Sequence, residues 1–260
     1  MLGEPRRTQY DLNFAFLGFP VRIHPLFWLV AVLMGGIGRN AGDSRELLIN
    51  LLAWVLAFFI SIFVHEMGHA VATRFYGFHP WIVLYGFGGV TCYSPAHRDV
   101  NRRPPGSWGS ILISFAGPLA GFLMAAAIIG GFFAFGYLQI SGGVRLDYGE
   151  GSAFSGPFLN FIGSVLYICI FWGLVNLLPI YPLDGGQIAR EVCMMINRSK
   201  GIRWSLILSF VLSSMIAALS LLGFFLSRDP GLVWIAFLFG MLARSSYETL
   251  GSYNSSRWDL

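Results

Sequence analysis

Two histidines four residues apart, His65 and His69, with Glu66 between them, are the residues of this chain best suited to chemistry. On a helix, the i, i+4 spacing puts both imidazoles on one face, where they can hold one metal ion, and the glutamate lies beside them as a candidate base. The three stand at the end of a run, Leu47 to Val64, that contains no Lys, Arg, Asp or Glu and is long enough to cross a bilayer. An ionisable group at membrane depth costs about 2.5–3.5 kcal/mol on insertion scales. A chance HExxH match on a soluble helix is therefore the weaker reading. The sharper one is a metal-dependent hydrolytic site built inside the membrane.

A catalytic zinc takes three protein ligands and keeps a fourth position open, so the histidine pair needs a partner. Asp184 is the best candidate, in the segment Asn176-Leu177-Leu178-Pro179-Ile180-Tyr181-Pro182-Leu183-Asp184-Gly185-Gly186. It is the only acidic residue between Glu150 and Glu191 and follows an uncharged stretch from about Phe154. Pro179 and Pro182 lack amide donors and oppose helix continuation, which predicts an extended break before Asp184. Gly185 and Gly186 relieve crowding before a short helix resumes. Taken alone, the segment reads equally well as a turn leaving the membrane with Asp184 as helix cap; beside the histidine pair, the metal reading prevails.

HEMGH together with NLLPIYPLDGG resembles the site-2 protease family of intramembrane zinc metalloproteases, which carries HExxH and NxxPxxPLDG motifs. The resemblance implies His65, His69 and Asp184 as ligands of one zinc ion per chain, and Glu66 as the general base that activates water. A third family element, GPxxN, is matched only in part by Gly117-Pro118-Leu119-Ala120-Gly121, where Gly121 stands at the asparagine position. Asn176 is the candidate for that missing polar group, as an oxyanion stabiliser. The chain leaves no room for the PDZ or CBS domains of some family branches.

Composition agrees independently. The 260 residues are 55% hydrophobic and only 12% charged, with a mean hydropathy of +0.65. Those values lie outside ordinary soluble domains. The formal charge of +4 is scattered between apolar spans, which favours membrane topology over nucleic-acid binding. Cys92, Cys169 and Cys193 have no ligand or disulfide spacing and read as ordinary thiols. The first residues carry charge without an apolar run and cleavage site, so a removable signal peptide is not expected.

These features predict an α-helical polytopic membrane protein with about six spans and a small β-hairpin or sheet at the cytoplasmic membrane surface. The spans fall at about 25–37, 47–76, 108–138, 154–178, 204–226 and 231–243, the first and last being short. A single intramembrane metalloprotease domain, 1–260, would have its catalytic core at about 47–196 and additional helices at 25–37, 204–226 and 231–243. The run Trp81 to Tyr93 reads as a hairpin, joined by strands near Phe14 and Val21. An extended substrate could add to its edge, and the hairpin reads equally well as a surface element that merely covers the helix ends. With six spans, thirteen of the 17 Lys and Arg fall on the side of the termini, and only Arg39, Arg45, Arg145 and Arg228 on the other. The positive-inside rule then puts both termini in the cytoplasm, and both metal motifs arrive on that same side.

His24 reads as an interfacial anchor, and His79 and His97 as loop residues. Arg98, Arg102 and Arg103 read as contacts for lipid headgroups. Gly117, Gly121 and Ala125, four residues apart, read as a close-packing stripe. The function expected is hydrolysis of a peptide bond in or beside the transmembrane segment of a protein substrate such as a membrane-anchored regulator, as in regulated intramembrane proteolysis, with the lipid bilayer as the other partner. A metal transporter or metal sensor using the same His/Asp cluster is the alternative. Glu66 discriminates, since a transporter needs ligands but no base beside them.

Overall fold

A computed structural model describes residues 4–36, 44–86, 88–94, 96, 98–99, 102–135, 138–140, 144–146 and 156–255. His97 lies outside them. The chain forms two compact units, one of Gly3–Pro104 and Ala116–Leu174, the other including Pro105–Phe115 and Val175–Leu260.

The first unit opens with a hairpin, β1 (Leu12–Phe16) and β2 (Phe19–Ile23). Leu17 and Gly18 turn it with φ of 48° and 77°, the left-handed conformation that a two-residue hairpin turn requires. Arg74 pins this turn, donating from Nη2 to the Gly18 carbonyl at 2.7 Å. β2 pairs in parallel with β3 (Trp81–Tyr85), and β3 pairs antiparallel with β4 (Gly88–Cys92), giving the order β1-β2-β3-β4. The hairpin expected at 81–93 is present, and the two N-terminal strands extend it into one sheet. Phe19, Val21, Ile23, Ile82 and Leu84 join its buried core.

Between β2 and β3 lie α1 (Pro25–Gly36) and α2 (Ser44–Phe75). Pro25 starts α1 where its missing amide costs nothing, and His24 Nδ1 accepts the Leu26 N–H at 3.1 Å. His24 therefore acts as a helix cap. α1 packs on α2 through Phe27 and Phe58, with ring centroids 5.2 Å apart. α2 stops where Gly77 turns left-handed at φ 79° and donates its N–H to the Arg74 carbonyl. α3 (Ser107–Ala134) carries the buried Pro118 internally. A short hairpin, β5 (Leu138–Ile140) and β6 (Val144–Leu146), stands where the third span was expected to end. α4 (Gly156–Tyr167) passes through a π-helical turn, Ile168–Trp172, into α5 (Gly173–Asn176).

The second unit contains α6 (Asp184–Ile196), α7 (Gly201–Ser227) and α8 (Pro230–Ser255). The break predicted before Asp184 is the loop from Leu177 to Leu183, which includes a cis Tyr181–Pro182 peptide bond.

Among the described residues, four helical stretches are long and apolar enough to cross a membrane: Ser44–Phe75, Ser107–Ala134, Gly156–Asn176 and Gly201–Ser227. The chain is an integral membrane protein by that measure, with four such spans where about six were expected. The two short segments account for the difference. α1 has 12 residues, about 18 Å at 1.5 Å per residue, well under the hydrocarbon thickness. α8 is longer than expected, but its second half is polar and carries the Arg244–Glu248 ion pair.

Candidate metal centre and its acid–base partner

His65 and His69 lie one turn apart on α2, and their Nε2 atoms converge to 3.2 Å. Two bonds of about 2.0–2.1 Å at a tetrahedral angle would bring such nitrogens to about 3.3 Å, so the pair fits one zinc ion. The rings meet edge to face, with centroids 4.8 Å apart. Two glycines make room for them. A Cβ at Gly117 of α3 would overlap the His69 imidazole, and a Cβ at Gly68 would overlap the Ala116 carbonyl. α2 and α3 therefore approach closely at this turn, as the small-residue stripe predicted, and His69 is buried there. One turn further, Gly121 is less confined, with the Cys169 carbonyl 3.5 Å from its would-be Cβ.

Glu66 is only 4% exposed and faces β4. The Thr91 hydroxyl lies 2.8 Å from Glu66 Oε2, to which it donates, and 3.0 Å from the Glu66 main-chain carbonyl. Gly89, two residues earlier on the same face of β4, lies so close that a Cβ would stand 2.8 Å from Glu66 Cδ and 2.9 Å from Oε1. Sequence reasoning missed both residues. A glycine inside a strand run signals close backbone approach, but not what approaches. The seat is built at the end strand of the sheet, so the carboxylate lies beside strand backbone.

On β2, Arg22 is buried and held by Glu4 Oε1 at 2.8 Å and Asp11 Oδ2 at 2.9 Å. The Thr8 hydroxyl and Arg22 hold the Asp11 carboxyl down to about 2, with burial opposing them. Cys92, on β4, goes the other way. Burial and the negative charges of Glu4 and Glu66 push its thiol up to about 11. All three cysteines are free.

Asp184 belongs to the second unit, where it is the first residue of α6. A helix N-terminus favours a carboxylate there. Gly185 and Gly186 are required behind it, because a Cβ on either would overlap loop backbone at Leu177–Leu178 and Ile180–Tyr181 respectively. Asn176, the last residue of α5, also falls in the second unit, which resumes at Val175, and is half-buried at the other end of the loop. His65, Glu66 and His69 thus gather on one turn, and Asn176 and Asp184 flank one loop.

A family model described as peptidase family M50 matches residues 53–219, which include all five of these residues. The chain belongs to peptidase family M50. Its resemblance to site-2 proteases, drawn from HEMGH and NLLPIYPLDGG, is borne out. Zinc metalloprotease MJ0392 of Methanocaldococcus jannaschii is 25% identical over 185 residues, which make up 69% of this chain and 44% of that protein. Stage IV sporulation protein FB of Bacillus subtilis is 26% identical over 170 residues, 65% of this chain and 46% of that protein. This M50 chain therefore spans under half the length of these relatives. The site-2 protease from Methanocaldococcus jannaschii shares its fold, with a TM-score of 0.53 at 20% identity over 92% of this chain and 94% of that one.

Proposed function

We propose that this M50 protein is an intramembrane zinc endopeptidase that cleaves a peptide bond in or near the transmembrane segment of a membrane-protein substrate. His65, His69 and Asp184 hold one zinc, each offering an atom of the type that zinc accepts. The observation that carries the reading is the convergence of the two histidine nitrogens to 3.2 Å, one residue from a buried glutamate that is oriented by Thr91. Bound zinc supplies an acidified water and polarises a carbonyl.

Glu66 takes the proton from water and passes it to the departing amine, general acid–base work suited to a carboxylate held at fixed orientation. Thr91 keeps one carboxylate oxygen engaged and leaves Oε1 for the proton. Substrate enters as an extended strand along the outer edge of β4, the end strand of the sheet among the described residues, which brings its carbonyl beside Glu66. Asn176 donates to the developing oxyanion. A transmembrane helix hides its amides, so the substrate unwinds before it can pair. The whole chain acts as a single domain with both termini and the site toward the cytoplasm, in regulated intramembrane proteolysis of a membrane-anchored regulator.

The deciding variant is Glu66→Gln in the detergent-purified chain, with zinc content and cleavage of a single-span substrate both measured. Zinc stays near one per chain while cleavage falls by about 10²–10⁴-fold. Cleavage at the parental rate would sink the mechanism. Unimpaired metal flux across vesicles by the same variant, with no cleavage by either protein, would favour the transporter.

A further inference from the structure

Three residues before Asp184, the Tyr181 main chain is held at both its N–H and its carbonyl by side chains of other helices. The N–H donates to Ser209 Oγ of α7 at 3.0 Å, and the carbonyl accepts from Ser246 Oγ of α8 at 3.2 Å. Ser209 and Ser246 are 1% and 0% exposed. The Ser209 hydroxyl donates to the Ser205 carbonyl at 2.7 Å and has the Pro179 carbonyl of the same loop 3.4 Å away, while its oxygen accepts the Tyr181 N–H. Gly186 lies close against the backbone of Ile180 and Tyr181, where a Cβ would overlap it. The loop is thus held by hydrogen bonds and by close packing. Moreover, α8 lies beyond residues 53–219, the part that matches the M50 family model.

We infer that Ser209 and Ser246 are positioning residues, which set the direction of the Asp184 carboxylate by fixing the Tyr181 backbone. The inference rests on the proposed role of Asp184 as zinc ligand. A buried hydroxyl in an apolar helix needs a partner, and back-bonding to its own helix would satisfy that need. Ser213 does only this, donating to the Ser209 carbonyl at 2.6 Å while 0% exposed. It is the matched control for loss of a buried serine without loss of a bond to the loop.

The test uses the full chain in detergent, with zinc affinity read by chelator competition and ligand geometry by the visible spectrum of the cobalt(II)-substituted protein. Groups that orient metal ligands typically cost 10–100-fold in metal affinity when removed. Ser209→Ala and Ser246→Ala should each weaken zinc by about tenfold and shift the cobalt bands, with Ser213→Ala near parental and Ser246→Thr, which keeps the hydroxyl, restored. An equal loss in all three alanine variants means that helix packing is responsible and overturns the inference. Parental zinc affinity in Ser209→Ala and Ser246→Ala, with zinc lost in Asp184→Ala, overturns the positioning role alone. Parental affinity in Asp184→Ala overturns the ligand reading and this inference with it.

Discussion

Gly117 lacks a side chain where the His69 imidazole lies against it, so that a Cβ at 117 would overlap the ring at Nε2, Cε1 and Cδ2. The constraint is local, since at Gly121 the nearest heavy atom would be 3.5 Å away. Gly117→Ala should therefore turn His69 out of position and strip zinc. Gly121→Ala should keep zinc and raise the melting temperature slightly, because alanine favours a helix interior by about 0.5–1 kcal/mol over glycine. Metal analysis and thermal unfolding of the two variants check this, and equal behaviour would remove the His69 contact as the reason for glycine at 117.

Thr91→Val keeps the shape of the side chain but deletes the hydroxyl that engages Glu66 Oε2. A hydrogen bond to a charged group is worth about 1.5–3 kcal/mol, so turnover should fall by at least about tenfold while zinc content is unchanged. Turnover assays on the metal-loaded variant decide it. Parental turnover would mean that the seat does not orient the base.

Asn176→Ala should reduce turnover by about 10²–10³-fold if its amide stabilises the oxyanion, with substrate binding little altered. A kcat loss without a KM change is the expected signature. Unchanged kcat would discard this role and leave Glu66 untouched.

The bonds that Asp11 makes with Thr8 and Arg22 predict an acid-sensitive component of stability. The Asp11 carboxyl sits near 2 in the folded chain against an ordinary 3.8, so its contribution is complete above 3.8 and is lost as pH falls through about 2. Asp11→Asn should melt below the parent at neutral pH, and the gap should close as pH falls across that window. A gap independent of pH would mean that the Asp11 charge is not what stabilises these bonds.

The histidine pair, the loop before Asp184 and the hairpin were legible in the sequence because each rests on local rules: helical periodicity, the geometry of proline and glycine, and β-forming runs. Contacts from elsewhere in the chain were not. Nothing local to Thr91 says that its hydroxyl meets Glu66, and nothing local to Ser209 or Ser246 says that they meet the Tyr181 main chain. The length of α8 was hidden because its apolar half ends near Ala243 while the helix continues to Ser255 through polar residues. The π-helical turn at Ile168–Trp172 left no mark in an apolar run whose residues suit either helix type.

The parallel pairing of Val21 with Ile82 and Ile23 with Leu84 also orders events in time. Synthesis at about 5–20 residues per second makes β2 wait several seconds for β3, with α1 and α2 emerging in between. Gly89 and Thr91 follow later still, on the last strand of the sheet. The growing chain therefore holds both histidines and the glutamate before it has the hydroxyl that orients that glutamate. A newborn copy has its histidine pair first and the seat of Glu66 only once β4 has docked.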